Sequence, residues 1–137
     1  MPDGLESPRW GKWQRFRRWL RRRRFIVADD SMVPALVPGD CLYVDPAAYR
    51  DRPPIRGEIV VTRDPALPSR HLVKRVAFVA GEVVPPHGAK LAPGMVYLLG
   101  DAPEESRDSR EFGPVPVELL VGQAYQCYRP LEHRRDL

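Results

Sequence analysis

Lysine is scarce in this chain: of 22 basic residues only Lys12, Lys74 and Lys90 are lysine, and the rest are arginine. Arginine keeps its proton in a protein, whereas a lysine taken out of water can be neutral near pH 7. Few positions can therefore supply a basic amine. Histidine is equally sparse, at His71, His87 and His133. His87 lies in a proline and glycine turn and His133 in a charged tail, so none has a Ser-His-Asp setting. The two cysteines, Cys41 and Cys127, match neither zinc-site nor disulfide-framework spacing. Each lies in an apolar strand-like run that suits a small buried thiol, with pairing between them left open. No run approaches the ~20 apolar residues that cross a bilayer, and the N-terminus lacks the apolar core of a secretory signal. Internal repeats and glycine-rich phosphate loops of known spacing are also missing.

Turn chemistry, by contrast, is abundant. Sixteen prolines and ten glycines divide 137 residues into short, valine-rich apolar runs, a pattern that favours strands over long helices. The length suits one domain, able to bury roughly two thirds of its unfolded surface. The expected fold is all-β or nearly so. Strands are expected at Phe25 to Ala28, Cys41 to Val44, "RGEIVVTR", "HLVKRVAFV", "GEVVPP", "MVYLLGD" and "VGQAYQCYR".

Charge is unevenly distributed. Residues 9–24, "RWGKWQRFRRWLRRRR", carry eight arginines and one lysine without an acid, whereas residues 25–137 carry 13 basic and 16 acidic side chains. On a wheel of about 100° per residue, Trp10, Trp13, Phe16, Trp19 and Leu20 spread over about half the circle and arginines fill the rest. Indole rings suit a lipid headgroup boundary and arginines suit anionic lipid. Residues 1–24 are accordingly read as a basic amphipathic or disordered segment, and 25–137 as the folded domain. Peripheral membrane contact through residues 9–24 is the first reading of the head. Solvated disorder and binding of nucleic acid or an acidic partner are alternatives.

The stretch "ADDSMVPALVPGDCLYVD", residues 28–45, places Ser31 in an unusual loop. A hydroxyl attacks a carbonyl only if a base takes its proton. In "HLVKRVAFV" a period of two sets Leu72, Lys74, Val76 and Phe78 on one face, with His71, Val73 and Arg75 on the other. An amine among apolar neighbours loses hydration, and each unit of pKa depression corresponds to ~1.4 kcal/mol. Lys74 is thereby the candidate base, and a lysine snorkelling from a sheet edge is the competing interpretation.

Four ordered segments, "SMVPALVPGD", "RGEIVV", "KRVAFVAGE" and "GDAPEESRDSREFGPVP", resemble the bacterial signal peptidase I family of serine proteases. That family carries S-M-x-P-T-L-x-x-G-D, R-G-D-I-V-V, K-R-V-I-x-x-P-G-D and G-D-N-x-x-x-S-x-D-S-R-x-[WF]-G-x-V-P. The likeness covers about residues 26–125. It implies the family's coiled, barrel-like β-sheet core, shared with LexA-like repressors, and assigns Ser31 as nucleophile and Lys74 as general base. Ser106 falls where the family places a hydroxyl bonded to the lysine amine. Asp108 and Arg110 fall where an ion pair holds the loop that Gly100 and Asp101 open. The implied chemistry is acyl transfer at a peptide bond after small residues, alanine by preference at the first and third positions, in an extended precursor. No metal or cofactor is called for and no nucleic acid is expected.

The departures from the family pattern are specific. Ala35, Ala77, Ala80 and Ala102 replace its threonine, glycine, proline and asparagine. Asp29 and Asp30 precede the nucleophile where some members carry an oxyanion-binding serine, so the hole is expected to rest on backbone N–H donors. No transmembrane anchor is expected from these residues, and the segment between the lysine and serine boxes is short, about thirty residues. A minimal soluble core is expected, cytoplasmic or peripheral at the cytoplasmic membrane, similar to proteases that mature nickel-type superoxide dismutase. A LexA-like self-cleaving regulator and an inactive membrane-binding module on the same fold are the alternatives.

Overall fold

A computed structural model describes residues 11–85 and 88–137; Trp10 of the amphipathic pattern and His87 lie outside the described residues. The elements are α1 (Lys12–Arg21), β1 (Arg23–Ile26), β2 (Cys41–Asp45), β3 (Ile59–Arg63), β4 (His71–Val79), β5 (Val83–Val84), β6 (Ala89–Lys90), β7 (Met95–Leu99), α2 (Ser109–Phe112), β8 (Val115–Pro116), β9 (Leu120–Arg129) and β10 (Arg135–Asp136). The protein is mainly β. Its principal sheet is antiparallel in the order β1-β2-β9-β3-β4-β7-β8, with β10 also on β9, and β5 with β6 forms a small separate hairpin. Barrel closure does not occur among the described residues, since β1 and β8 end the path.

Alternation in the strands builds the core. Leu42 and Val44 of β2, Ile59 and Val61 of β3, and Ala124 and Cys127 of β9 join Val27, Met32 and Leu36 in one buried cluster. Val60, Val76, Val96, Leu98 and Val115 form a second. In β4 the alternation buries Leu72, Lys74 and Val76. It fails at Phe78, because the register against β7 shifts between Val76 and Phe78. Phe78 packs instead with Tyr97, ring centroids 6.0 Å apart. Both cysteines are free thiols, Cys127 buried in the first cluster.

The strand before the Ser31 loop starts at Arg23 rather than Phe25, so the residue 24/25 division falls inside β1. Pairing of Arg23 with Val44 and Arg24 with Tyr43 sets that start, a tertiary contact that charge patterning does not reveal. Helix α1 docks through Arg18 and Arg21, while Arg15 and Arg17 stay exposed. Arg21 donates twice to the buried Asp45, at 2.9 and 3.2 Å, and Arg18 donates to Gln123 at 3.2 Å with its guanidinium 3.7 Å from the Tyr125 ring centroid. Burial opposes the Asp45 charge, but the Arg21 bonds prevail and hold its carboxyl below the usual range. Trp13, Phe16, Trp19 and Leu20 consequently face outward, 77, 50, 55 and 61 % exposed.

Candidate active site

The order of residues in 28–40 follows from how the loop is pinned. Val27 N–H donates to Asp40 O at 2.9 Å and Gly39 N–H to Val27 O at 2.8 Å, closing the loop at its neck. Met32 and Leu36, four apart and linked by a 2.9 Å backbone bond, drop into the core. Gly39 takes φ 94°, which an L side chain rarely adopts, and Asp40 accepts the Val37 N–H at 3.0 Å. Ser31 is set at the head of this turn, 2 % exposed.

Two bonds that sequence reasoning missed brace the loop from the far end of the chain. His133 Nδ1 lies 2.7 Å from Asp40 Oδ1, and Arg135 donates to the Ala35 carbonyl. Neither residue belongs to a motif, so only the pairing of β10 with β9 brings them there.

Lys74 stands on β4, an interior strand between β3 and β7, and is 1 % exposed. Its Nζ donates to Ser106 Oγ at 3.0 Å, and the Ser106 hydroxyl donates to Asp108 Oδ2 at 2.8 Å. Asp108 also accepts Gly100 N–H at 2.9 Å and both Nε and Nη2 of Arg110, at 2.9 and 2.8 Å. Burial works against the Asp108 charge, and the bonds from Arg110, Gly100 and Ser106 outweigh it, bringing its pKa down to about 2. For Lys74 burial wins: loss of hydration pushes the amine below its usual value, against the charges of Asp29 and Asp108 and aided by Arg110 and Arg107.

Ser31 meets this network through the loop after β7. The Ala102 N–H donates to Ser31 O at 2.9 Å, a backbone bond indifferent to the alanine there. A Cβ on Gly100 would lie 2.1 Å from Ser106 Oγ and 2.6 Å from Ser31 O, so glycine is required and both serines pack against one point. Asp101 is fixed by Arg75, the neighbour of Lys74, through bonds of 2.9 and 2.8 Å. The Ser31 N–H, the donor on which an oxyanion hole would rest, donates to Asp29 Oδ1 at 3.0 Å. A cleft of about 570 Å³ between α1 and the sheet, lined in part by Arg18, Tyr43, Glu58 and Tyr125, includes neither serine nor Lys74.

A β-sheet that buries one lysine among valines and bonds it to Ser106 makes an amine whose lowered pKa suits proton transfer. Comparison with known proteins agrees. The family described as "Signal peptidase, peptidase S26" matches residues 18–92 and 85–128. Mitochondrial ATP-independent inner membrane protease subunit 1b of Arabidopsis thaliana is 38% identical over 118 residues, covering 74% of this chain and 70% of the relative. Probable signal peptidase I-1 of Synechocystis is 28% identical over 145 residues, covering 78% and 74%. Mitochondrial inner membrane protease subunit 2 of Mus musculus is 32% identical over 121 residues, covering 81% and 69%. The chain belongs to the signal peptidase family, peptidase S26. Among the described residues no helix is long and apolar enough to cross a membrane.

Proposed function

We propose that the protein is a serine endopeptidase in which Ser31 is the nucleophile and Lys74 the general base, removing a leader or propeptide from a precursor. The observation that carries this is the state of Lys74: 1 % exposed, its charge disfavoured by burial, its amine held on Ser106. Neutral Lys74 takes the Ser31 proton as Oγ attacks the scissile carbonyl, then passes it to the departing amine. The same amine next deprotonates the water that releases the acyl group. Ser106, fixed by Asp108 and Arg110, aims the amine. Leader removal is supported by the similarity to a probable signal peptidase and to inner membrane protease subunits.

The test is cleavage of a leader peptide carrying Ala-x-Ala by the full chain in dilute detergent, beside Ser31→Ala and Lys74→Ala. Loss of at least a thousandfold in both is expected, and equal cutting by either variant would falsify the mechanism. A nickel-type superoxide dismutase precursor peptide in a parallel arm distinguishes a dedicated maturation protease from a general leader peptidase. Faster cutting of that peptide favours the former.

The outward aromatic face of α1 supports a peripheral membrane contact for the same enzyme. Phe16 packs between Trp13 and Trp19, centroids 6.4 and 6.3 Å away, while Arg18 and Arg21 hold the helix on the sheet. Exposed indoles flanked by arginines suit an anionic bilayer surface. In co-sedimentation with vesicles rich in anionic phospholipid, the full chain should bind and Trp13→Ser/Trp19→Ser should bind at least tenfold more weakly. Added salt should weaken binding as well, and equal retention of both proteins would remove the membrane role.

A further inference from the structure

Asp29 occupies the place that the reaction needs. A tetrahedral intermediate on Ser31 puts its oxyanion about 2.7–3.1 Å from preorganised donors, and the nucleophile's own N–H is one such donor in serine proteases. Here that N–H is given to Asp29 Oδ1 at 3.0 Å. An ionised carboxylate only accepts, so it competes with the oxyanion for one proton and repels its charge. The same carboxylate also stands foremost among the charges favouring the protonated amine of Lys74.

Resting on the Ser31/Lys74 reading, we propose that Asp29 is a removable stopper: its carboxylate caps the Ser31 N–H in the free enzyme and must swing away before the oxyanion can bind. The surroundings permit the motion. Asp29 and its neighbours Ala28 and Asp30 are exposed, and one side-chain rotation releases the hydrogen bond without disturbing Met32 or Leu36. Ser31 itself is 2 % exposed and its carbonyl is tied to Ala102, so the nucleophile stays fixed while the cap moves. A substrate carbonyl that takes over the N–H displaces the carboxylate, and the same displacement weakens the hold on the Lys74 proton. The enzyme is thereby idle until an extended chain fills the site.

The local bond from Asp29 to the amide two residues on is also an Asx turn, and the test must separate that structural role from the stopper. Asp29→Asn keeps an oxygen for the Ser31 N–H and removes the charge; Asp29→Ala removes both. The readout is acylation of the full chain by a small activated phenyl ester, followed by intact mass. In that step Ser31 Oγ bonds the ester carbonyl carbon, Lys74 takes the hydroxyl proton and the phenolate departs. The rate at neutral pH should rise about threefold in the Asn variant and about tenfold or more in the Ala variant. Lys74 faces Asp29 from the nucleophile loop, Asp108 and Arg107 from the loop after β7, and Arg110 from α2. With the latter three unchanged, the acid limb of the rate profile should move to lower pH in both variants, a shift that a turn-stabilising role would not produce. Rates within twofold of the parent, or slower, with an unmoved limb overturn the stopper while Ser31→Ala still abolishes acylation. If Ser31→Ala is acylated like the parent, the dyad reading itself falls and the stopper with it. Should Asp29→Ala fail to fold, the Asn variant decides alone.

Discussion

Replacing Lys74 by methionine should abolish hydrolysis and, on the acid side, stabilise the fold. Methionine nearly matches the lysine stem in volume, and Ser106 keeps its 2.8 Å bond to Asp108, so no buried partner is orphaned. Burial lowers the folded-state pKa of Lys74 beneath the 10.5 of an ordinary lysine. Between those two values the unfolded chain binds a proton that the folded chain does not, and the stability of the parent rises with pH there by about 1.4 kcal/mol per unit. Below that window the parent carries the full cost of the buried charge. The methionine variant lacks this slope. For a domain of this size ~1.4 kcal/mol is about 4 °C in Tm, so the advantage of the variant should shrink by about that much per pH unit inside the window. Scanning calorimetry of both proteins from about pH 6 to about pH 10 measures the difference, in which every other titrating group cancels. Parallel Tm curves throughout would show that Lys74 keeps its normal proton, and the amine could not then serve as a base.

Gly100→Ala should cost about 1–3 kcal/mol in urea denaturation and at least a hundredfold in peptide cleavage, because the new methyl would meet Ser106 Oγ at 2.1 Å. Full activity in that variant would refute the packing of both serines on this corner. For Asp108, whose pKa is about 2 in the fold against an ordinary 3.8, the stabilising contribution is complete above the unfolded value and disappears as the pH falls through the folded one. Asp108→Asn should lose about 2 kcal/mol at neutral pH and show a flatter stability profile between about pH 4 and about pH 2.

Much of the sheet was legible because period-two burial and turn residues speak directly in "HLVKRVAFV" and "VGQAYQCYR". Both appear as β4 and β9, β4 with the bounds expected. The interior position of β4 was not legible, since strand order depends on pairings such as Val60 with Lys74 and Arg75 with Leu99. Helix α1 was legible as an amphipathic pattern, but its orientation was not: the buried Asp45 draws Arg18 and Arg21 onto the sheet. Of the candidate site, residue types singled out Ser31 and Lys74 and the family resemblance added Ser106, Asp108 and Arg110, whereas the bond between Asp29 and the Ser31 amide is a matter of one rotamer. The Arg75 to Asp101 pair joins two of the recognised segments and could have been guessed from opposite charges beside two motif residues.

The brace from His133 and Arg135 onto the Ser31 loop has a consequence for how the enzyme comes into being. Asp40 and Ala35 receive partners made 93 and 100 positions later. A ribosome therefore makes this loop well before the residues that fasten it, and the loop takes its final shape only once β10 has paired with β9.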